Sequence, residues 1–403
     1  MKILITQTNL QMGGITKVLI NYIHLLCTHH RVHLLVQYDC GINTDFVGNI
    51  PETCSHEFVF SAEQFKQKIS CEKNRRSNLR NRLKHKLLKY NERKKLKNKF
   101  QSLIESERFD LIIDFCGDMD FIFRHKVIPH HLAPTIRWVH TQLNGASNIT
   151  KKQRKKYKNI FNNHTKIVTL CPQMAEILQT ELNIPPSKFF TLFNPIDTQK
   201  ILELAQESIP EKLTQSPYLL QVSRLAQGKG HEQLLKIFYE LKKKGLPHKL
   251  VFVGEGENRF QLEHLIKYYN LHDECILLGE KLNPYPYFRH ADLFVHTSEY
   301  EGLPTVIMES MALSTPVVAM DCATGPRDII GKNDDYGKLV PLYNEELFIQ
   351  AVLGLTQNQE MYQHYVNQGL IRIQDFSLNT ISVRLNQLIH ELALKSNDSS
   401  QVN

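Results

Sequence analysis

No apolar run in the 403-residue sequence approaches the roughly 20 residues needed to span a bilayer. The longest such stretches, 249–254 and 313–320, are only strand-length. The opening residues, Met1-Lys-Ile-Leu-Ile-Thr-Gln-Thr-Asn, turn polar after one short run and lack the apolar core and cleavage site of a secretory signal. The eight cysteines include no Cys-x-x-Cys pair. That spacing speaks against a zinc site or a disulfide framework and for reduced thiols in a cytosol. There is no internal repeat. What is present, 42% hydrophobic and 22% charged residues, suffices for two cores and excludes intrinsic disorder. At this length two domains are expected. The expectation is a soluble, cytoplasmic, two-domain protein.

The formal net charge of +8 is unevenly spread. Residues 73–99 hold thirteen Lys/Arg against one acid, Glu92, and 151–158 hold six more with none. Outside these two stretches the chain is net acidic, so any argument for an anionic partner concerns the two patches.

Strand-like runs occupy 2–6, 32–37, 110–115, 135–140 and 166–170, with a helical pattern over about 15–28 behind the pair Gly13-Gly14. A second alternating series has strands at 218–223, 249–253, 275–278, 292–297, 316–320 and 337–340. Twelve of the eighteen glycines lie beyond residue 225, mostly at strand ends, where turns require positive φ. Alternation of this kind implies parallel sheets covered by helices. The reading is α/β, two doubly wound Rossmann-like domains with a boundary near 195–215. A last helix is expected at 377–394, with a frayed polar tail at 396–403.

In open parallel sheets ligands bind beyond the carboxyl ends of strands, where helix N-termini present free amides. Val222-Ser-Arg-Leu-Ala-Gln-Gly-Lys-Gly follows a strand and opens a helix. Arg224 and Lys229 would bring two cations to that edge, a suitable seat for a diphosphate, although the Walker spacing is absent. A solvated basic turn explains the segment equally well on its own. In Glu301-Gly-Leu-Pro-Thr-Val-Ile-Met-Glu309, Pro304 suits a first helical turn. Glu301 then lies in the loop and Glu309 inside the helix among apolar neighbours, where a carboxylate needs hydrogen-bond donors such as sugar hydroxyls. By spacing alone a surface pair of glutamates is the simpler reading. Thr324-Gly-Pro-Arg-Asp says only that a turn precedes a helix.

Taken in order, Val-Ser-Arg-Leu-x3-Lys-Gly, Asn283-Pro-Tyr-Pro-Tyr-Phe, Ala291-Asp-Leu-Phe-Val, Glu-Gly-Leu-Pro-x4-Glu, Thr315-Pro-Val-Val-Ala and Thr-Gly-Pro-Arg-Asp resemble glycosyltransferase family 4 across residues 217–345. Gly13-Gly14, Trp138-Val-His140 and Asn194-Pro-Ile-Asp are similar in the first half. The variant resembles bacterial enzymes that build lipopolysaccharide, capsule or lipid-linked oligosaccharide. The resemblance implies a GT-B fold, with an acceptor domain at 1–195, a nucleotide-sugar domain at 196–376, and a final segment, 377–403, crossing back. It implies retaining transfer of a hexose or N-acetylhexosamine from a nucleotide-diphosphate sugar, UDP-linked, with no cofactor or essential metal.

Position by position, the resemblance sets Arg224 and Lys229 on the diphosphate. It sets Glu301 at the donor sugar, Glu309 at the ribose, and the amide of Thr305 toward the phosphates. His140 falls near the transferred sugar, and Gly13-Gly14 form the loop that closes on donor and acceptor. Gly302 and Leu303 accompany the glutamate, and the loop 279–282, ending at Leu282, reads the base. The family often has an acid before the lysine; here it is Gly228. The alternatives are a nucleotide-sugar epimerase of similar fold and a nucleic-acid-binding protein.

Leu79, Leu83, Leu87 and Tyr90 step by 4, 4 and 3, and Leu96, Phe100 and Leu103 resume the stripe. Segment 73–104 therefore reads as one or two amphipathic helices with a strongly cationic face. A merely solvated helix would carry alternating signs. Nucleic-acid binding would want aromatic platforms or a known module. The preferred partner is an anionic membrane surface contacted by Arg75, Arg76, Arg80, Arg82, Lys84 and Lys86. That places the protein peripherally on the inner face of the cytoplasmic membrane, with a glycolipid or oligosaccharide acceptor and no nucleic acid.

Overall fold

A computed structural model describes residues 1–11, 13–41, 47–75, 77–117, 119–123, 133–141 and 149–400, the side chains of 394–400 excepted. Arg76 lies outside the described residues. The first sheet contains β1 (Lys2–Gln7), β2 (Arg31–Tyr38), β3 (Cys54–Phe60), β4 (Leu111–Asp114), β5 (Thr135–Val139), β6 (Lys166–Thr169) and β7 (Phe189–Thr191), in the order β3-β2-β1-β4-β5-β6-β7. The second contains β8 (Tyr218–Val222), β9 (Lys249–Val253), β10 (Cys275–Leu277), β11 (Leu293–His296), β12 (Val317–Asp321) and β13 (Lys338–Pro341), in the order β10-β9-β8-β11-β12-β13. Neighbouring strands are parallel throughout, with Ile3 opposite Leu111 and Leu293 opposite Leu219 at the two points where the strand order reverses. Parallel pairing requires crossover helices, which cover both faces. Interior strands such as Val317-Val-Ala-Met are accordingly buried at every position.

Two strands escape the hydrophobic pattern. β3 begins Cys-Ser-His-Glu and is exposed at Ser55 and His56, as an edge strand with one covered flank can be. β7 is three residues long and continues from the turn Pro186–Lys188, so it is held by pairing with β6 and not by its own sequence.

Seven helices set the site and its surroundings: α1 (Gly14–Cys27), α2 (Ala62–Asn74), α3 (Leu79–Ser106), α4 (Lys151–Asn162), α5 (His231–Lys243), α6 (Thr305–Ala312) and α7 (Leu378–Ser400). The basic segment divides at 75–78, where Arg75 caps α2 and the Asn78 side chain accepts the Asn81 amide to start α3. α7 runs past its expected end, because nothing between Leu394 and Ser400 is a glycine or proline that would stop it.

The chain crosses between the sheets twice, side by side. Ile196 bridges Ser377 in parallel and donates its amide to the Phe376 carbonyl at 2.8 Å. α7 then returns to the first sheet. Arg384 donates to the Thr191 carbonyl at 2.9 Å, Lys166 meets Glu391 at 3.3 Å, and Leu385, Leu388, Ile389 and Leu392 are buried. Leu388 is fully buried in a core that includes residues of both sheets' surroundings. Leu388→Ala is therefore expected to cost about 2–5 kcal/mol, the range for a buried leucine, read as a lower denaturation midpoint with an unchanged slope.

Candidate functional site

The carboxyl edges of the two sheets face each other across a cleft of about 680 Å³. Gly13 and Gly14 at the start of α1, Cys116 after β4 and His140 after β5 line it from one side. Arg224 and Lys229 after β8, Glu280 and Lys281 after β10, and His296, Glu301–Thr305 and Glu309 from β11 and α6 line it from the other. Both reversals of strand order, β1/β4 and β8/β11, open onto it, as the geometry of doubly wound sheets requires.

Main chain meets main chain across the cleft. A Cβ on Gly302 would lie 1.8 Å from the His140 carbonyl oxygen, so no other residue fits there without the halves separating. Nearby, the Asn194 side-chain amide reaches the Leu303 carbonyl at 3.5 Å. A Cβ on Gly14 would lie 3.8 Å from Thr305 Oγ1, which sets the two helix N-termini against each other.

Lys229 Nζ and Glu301 Oε1 form an ion pair at 2.6 Å. His296 Nε2 is 3.4 Å from the same oxygen. Burial alone would raise the Glu301 carboxyl, but His296 and Lys229 outweigh it and hold the group down to about 2. The loop carrying Lys229 is fixed from beneath: Gln221 donates to the Lys229 carbonyl at 2.9 Å and Thr297 Oγ1 to the Gly230 carbonyl at 2.9 Å. Gly228 adopts φ 81° with the Tyr300 ring where its side chain would stand, a Cβ there falling 2.2 Å from the ring. That is why the position before the lysine holds no acid; the partner of Lys229 is Glu301. Arg224 is exposed on the cleft wall.

Glu309 is the fifth residue of α6 and is 6% exposed. The Tyr285 hydroxyl approaches its Oε1 at 3.5 Å; burial, then Glu309, drives that phenol far upward, so it remains a donor. The His140 ring is tilted 56° against Phe115, centroids 4.4 Å apart, and its Nε2 is buried without a partner. Burial and then the Arg137 charge push this imidazole down to about 3, so it is neutral. His231, at the start of α5, contacts Ser223 Oγ at 2.9 Å, and burial with Lys229 lowers it to about 4.

The expectation of no Asp-x-Asp metal site overlooks Asp118-Met119-Asp120, which has that spacing. Asp118 is outside the described residues, and Asp120 accepts from Arg137 Nε at 3.0 Å. No group of three or more His, Cys, Asp or Glu among the described residues is placed to hold a metal.

The cleft thus gathers Gly13, Gly14, His140, Arg224, Lys229, Glu301, Gly302, Leu303, Thr305 and Glu309. It does not gather Leu282, which is 63% exposed; its neighbours Glu280 and Lys281 face the cleft instead. His296 and His231 were not singled out from sequence, since a histidine ending an apolar strand and one opening a helix read as ordinary core and turn residues. The apolar stripe of α3 is split. Leu96, Phe100 and Leu103 are buried, whereas Leu79, Leu83, Leu87 and Tyr90 are 71%, 58%, 62% and 64% exposed. Among the described residues no helix is long and apolar enough to cross a membrane.

The fold, two parallel-sheet Rossmann-like domains with a cleft between them, is GT-B. Residues 205–371 match the family described as Glycosyl transferases group 1. The chain aligns with Staphylococcus aureus TarM, solved with UDP, at TM-score 0.72 and 16% identity, covering 96% of this chain and 99% of that one. It also aligns with Anabaena HepE in complex with UDP at TM-score 0.71 and 17% identity, covering 97% and 100%. Among curated relatives, the Campylobacter jejuni N-acetylgalactosamine-N,N'-diacetylbacillosaminyl-diphospho-undecaprenol 4-alpha-N-acetylgalactosaminyltransferase is 34% identical over 201 residues, 50% of this chain and 53% of that one. The Erwinia amylovora amylovoran biosynthesis glycosyltransferase AmsD is 30% identical over 172 residues, 43% and 48%. The chain spans about half the length of these curated relatives.

The neutral histidines couple stability to pH. Between about 6.5 and 4 the unfolded chain protonates at positions 140 and 231 while the folded chain does not, so stability falls on acidification. Glu301 adds a further loss below 4.5. Each histidine contributes a slope of about 1.4 kcal/mol per pH unit in that window. His231→Gln is expected to remove one such increment, measured by urea unfolding at pH 7, 6 and 5.

Proposed function

We propose that the chain is a retaining, metal-independent glycosyltransferase of family 4. It moves a hexose or N-acetylhexosamine from a UDP-linked donor to a membrane-associated glycolipid or oligosaccharide in bacterial surface-polysaccharide synthesis. The observation that carries this reading is the convergence, in one cleft, of two cations, two glutamates and a neutral histidine drawn from both sheets. Residues 196–376 hold the donor and 1–195 the acceptor.

The departing diphosphate gains negative charge as the sugar–oxygen bond breaks. Arg224, Lys229 and the amides opening α5 and α6, including Thr305, meet that charge where it develops. Glu309 accepts from the ribose hydroxyls and Glu301 from the sugar. His140 offers its unpartnered nitrogen to a sugar hydroxyl. Gly13-Gly14 admit donor and acceptor closely. The acceptor hydroxyl attacks the anomeric carbon on the face the diphosphate leaves, and its proton passes to the departing phosphate oxygen. The UDP in the TarM and HepE structures supports the uracil nucleotide. The diphospho-undecaprenol in the Campylobacter relative's name supports a lipid-linked acceptor.

The first half supports a membrane contact. α3 carries its exposed Leu79, Leu83, Leu87 and Tyr90 beside Arg80, Arg82, Lys84 and Lys86. α3 and α4 both begin without an acid in the first turn, and α4 has Lys151, Lys152 and Arg154 there, against the helix dipole. Cations so placed do not stabilise their helices; an anionic surface would balance them, at about 1 kcal/mol per residue.

Lys229→Ala and Arg224→Ala are each expected to lower turnover about 10²–10³-fold, and Glu309→Ala to weaken donor binding more than it slows chemistry. Activity should persist in EDTA. Near-wild-type kcat/KM in both cation variants would remove the diphosphate assignment, and strict dependence on Mg²⁺ or Mn²⁺ the metal-free one.

Vesicles containing phosphatidylglycerol should bind the protein and release it at high salt, since the Debye length is only about 8 Å at physiological ionic strength. Reversing Arg75, Arg80, Arg82 and Lys84 should abolish that binding while sparing hydrolysis of free nucleotide sugar. Undiminished binding of the charge-reversed variant, or preference of the wild type for RNA at matched salt, would contradict the membrane assignment.

A further inference from the structure

We infer that His296 is a positioning residue that takes over the Glu301 carboxylate when the donor diphosphate draws Lys229 away. The inference rests on Lys229 being a phosphate ligand. In the unliganded cleft Lys229 is already bound to Glu301 at 2.6 Å. The ammonium carries three N–H donors but a single charge, so a diphosphate that draws it across the cleft weakens its hold on Glu301. The Glu301 side chain is only 13% exposed, and a carboxylate so enclosed is disfavoured when stripped of its charged partner. Something must replace Lys229.

His296 is the group in place to do so. It is the last residue of β11, 1% exposed, with its ring stacked on Phe294 at 26° and 6.1 Å. Neither ring nitrogen has a hydrogen-bond partner, although buried polar atoms are nearly always satisfied. Nε2 stands 3.4 Å from the very oxygen that Lys229 holds. A small rotation would bring its N–H to bonding distance once the lysine leaves. The surrounding backbone resists larger movement, because Thr297 is locked to Gly230 and Thr324 Oγ1 donates to the Glu301 carbonyl. The 3.4 Å approach in the empty cleft thus matches a hydrogen bond that shortens in the donor complex.

The test is nucleoside diphosphate binding by calorimetry, with UDP as the probe, on wild type, K229A, H296L, E301Q and H296L/E301Q. H296L cannot donate, so Lys229 stays committed to Glu301 and UDP affinity should fall about 10–100-fold, the scale of one charged hydrogen bond. E301Q removes the competing charge, so H296L/E301Q should bind UDP within about threefold of E301Q alone, the residual expected when two substitutions no longer interact. H296Q, which keeps a donor, should recover most of the loss. If H296L does not fold, H296F keeps the aromatic stack and repeats the measurement. UDP binding unchanged in H296L or H296F, while K229A weakens it, overturns the role of His296 and leaves the phosphate assignment intact. Weak binding that E301Q fails to rescue shows a merely structural histidine and overturns it as well. If K229A binds UDP like wild type, the phosphate assignment itself fails and takes this inference with it.

Discussion

The His140 carbonyl oxygen occupies the space that a side chain at position 302 would need. The two halves of the molecule therefore touch through backbone at the centre of the cleft, and the rest of the site is referenced to that contact. On one side of it stands His140, backed by the β5 end and Phe115; on the other, Glu301, whose carbonyl is held by Thr324 and whose carboxylate is held by Lys229. Thr305, three residues beyond Gly302, reaches the N-terminus of α1 at Gly14. Any larger residue at 302 would move the cleft-lining groups of one half relative to those of the other.

Burial and neighbouring charge then fix the protonation of the cleft. Glu301 is ionised despite its burial because His296 and Lys229 lie against it, whereas His140 and His231 are neutral because burial is reinforced by nearby cations. The site is left with a satisfied carboxylate, a lysine already paired with it, and imidazoles able to make single hydrogen bonds. Such a cleft is close to charge balance when empty: Arg224 stands exposed on its wall, while Lys229 becomes available only when a polyanion competes with Glu301 for it. The large positive charge of the first half lies elsewhere, on α3 and α4, where the first-turn cations oppose the helix dipoles, while Lys99 pairs with Glu57 and Lys95 packs over Phe60.

Hydrophobic alternation was enough to read the α/β class and the strands of the second half, because strands buried on both faces are continuous apolar runs. The motifs also placed Arg224, Lys229 and Glu301 in the loops after strands and Glu309 inside a helix, where they are found. It could not reveal β3, with its polar opening, or β7, which exists only through pairing with β6. Periodicity showed a stripe along α3 but not that half of it is left uncovered, since burial depends on which elements arrive from distant sequence. Asp120 has the spacing of a metal ligand, yet in the folded chain it is committed to Arg137.

The sequence by itself determined the local choices: where strands and helices form, which turns need glycine, and which charged groups stand at strand ends. Only the tertiary structure decided which of those groups meet. The Lys229–Glu301 pair, the unsatisfied His296 beside it and the passage of Gly302 under His140 join residues separated by 72, 5 and 162 positions. Side-chain pattern along a chain carries its own periodicity, but contacts between elements are set by sheet order and crossover, which the pattern does not encode.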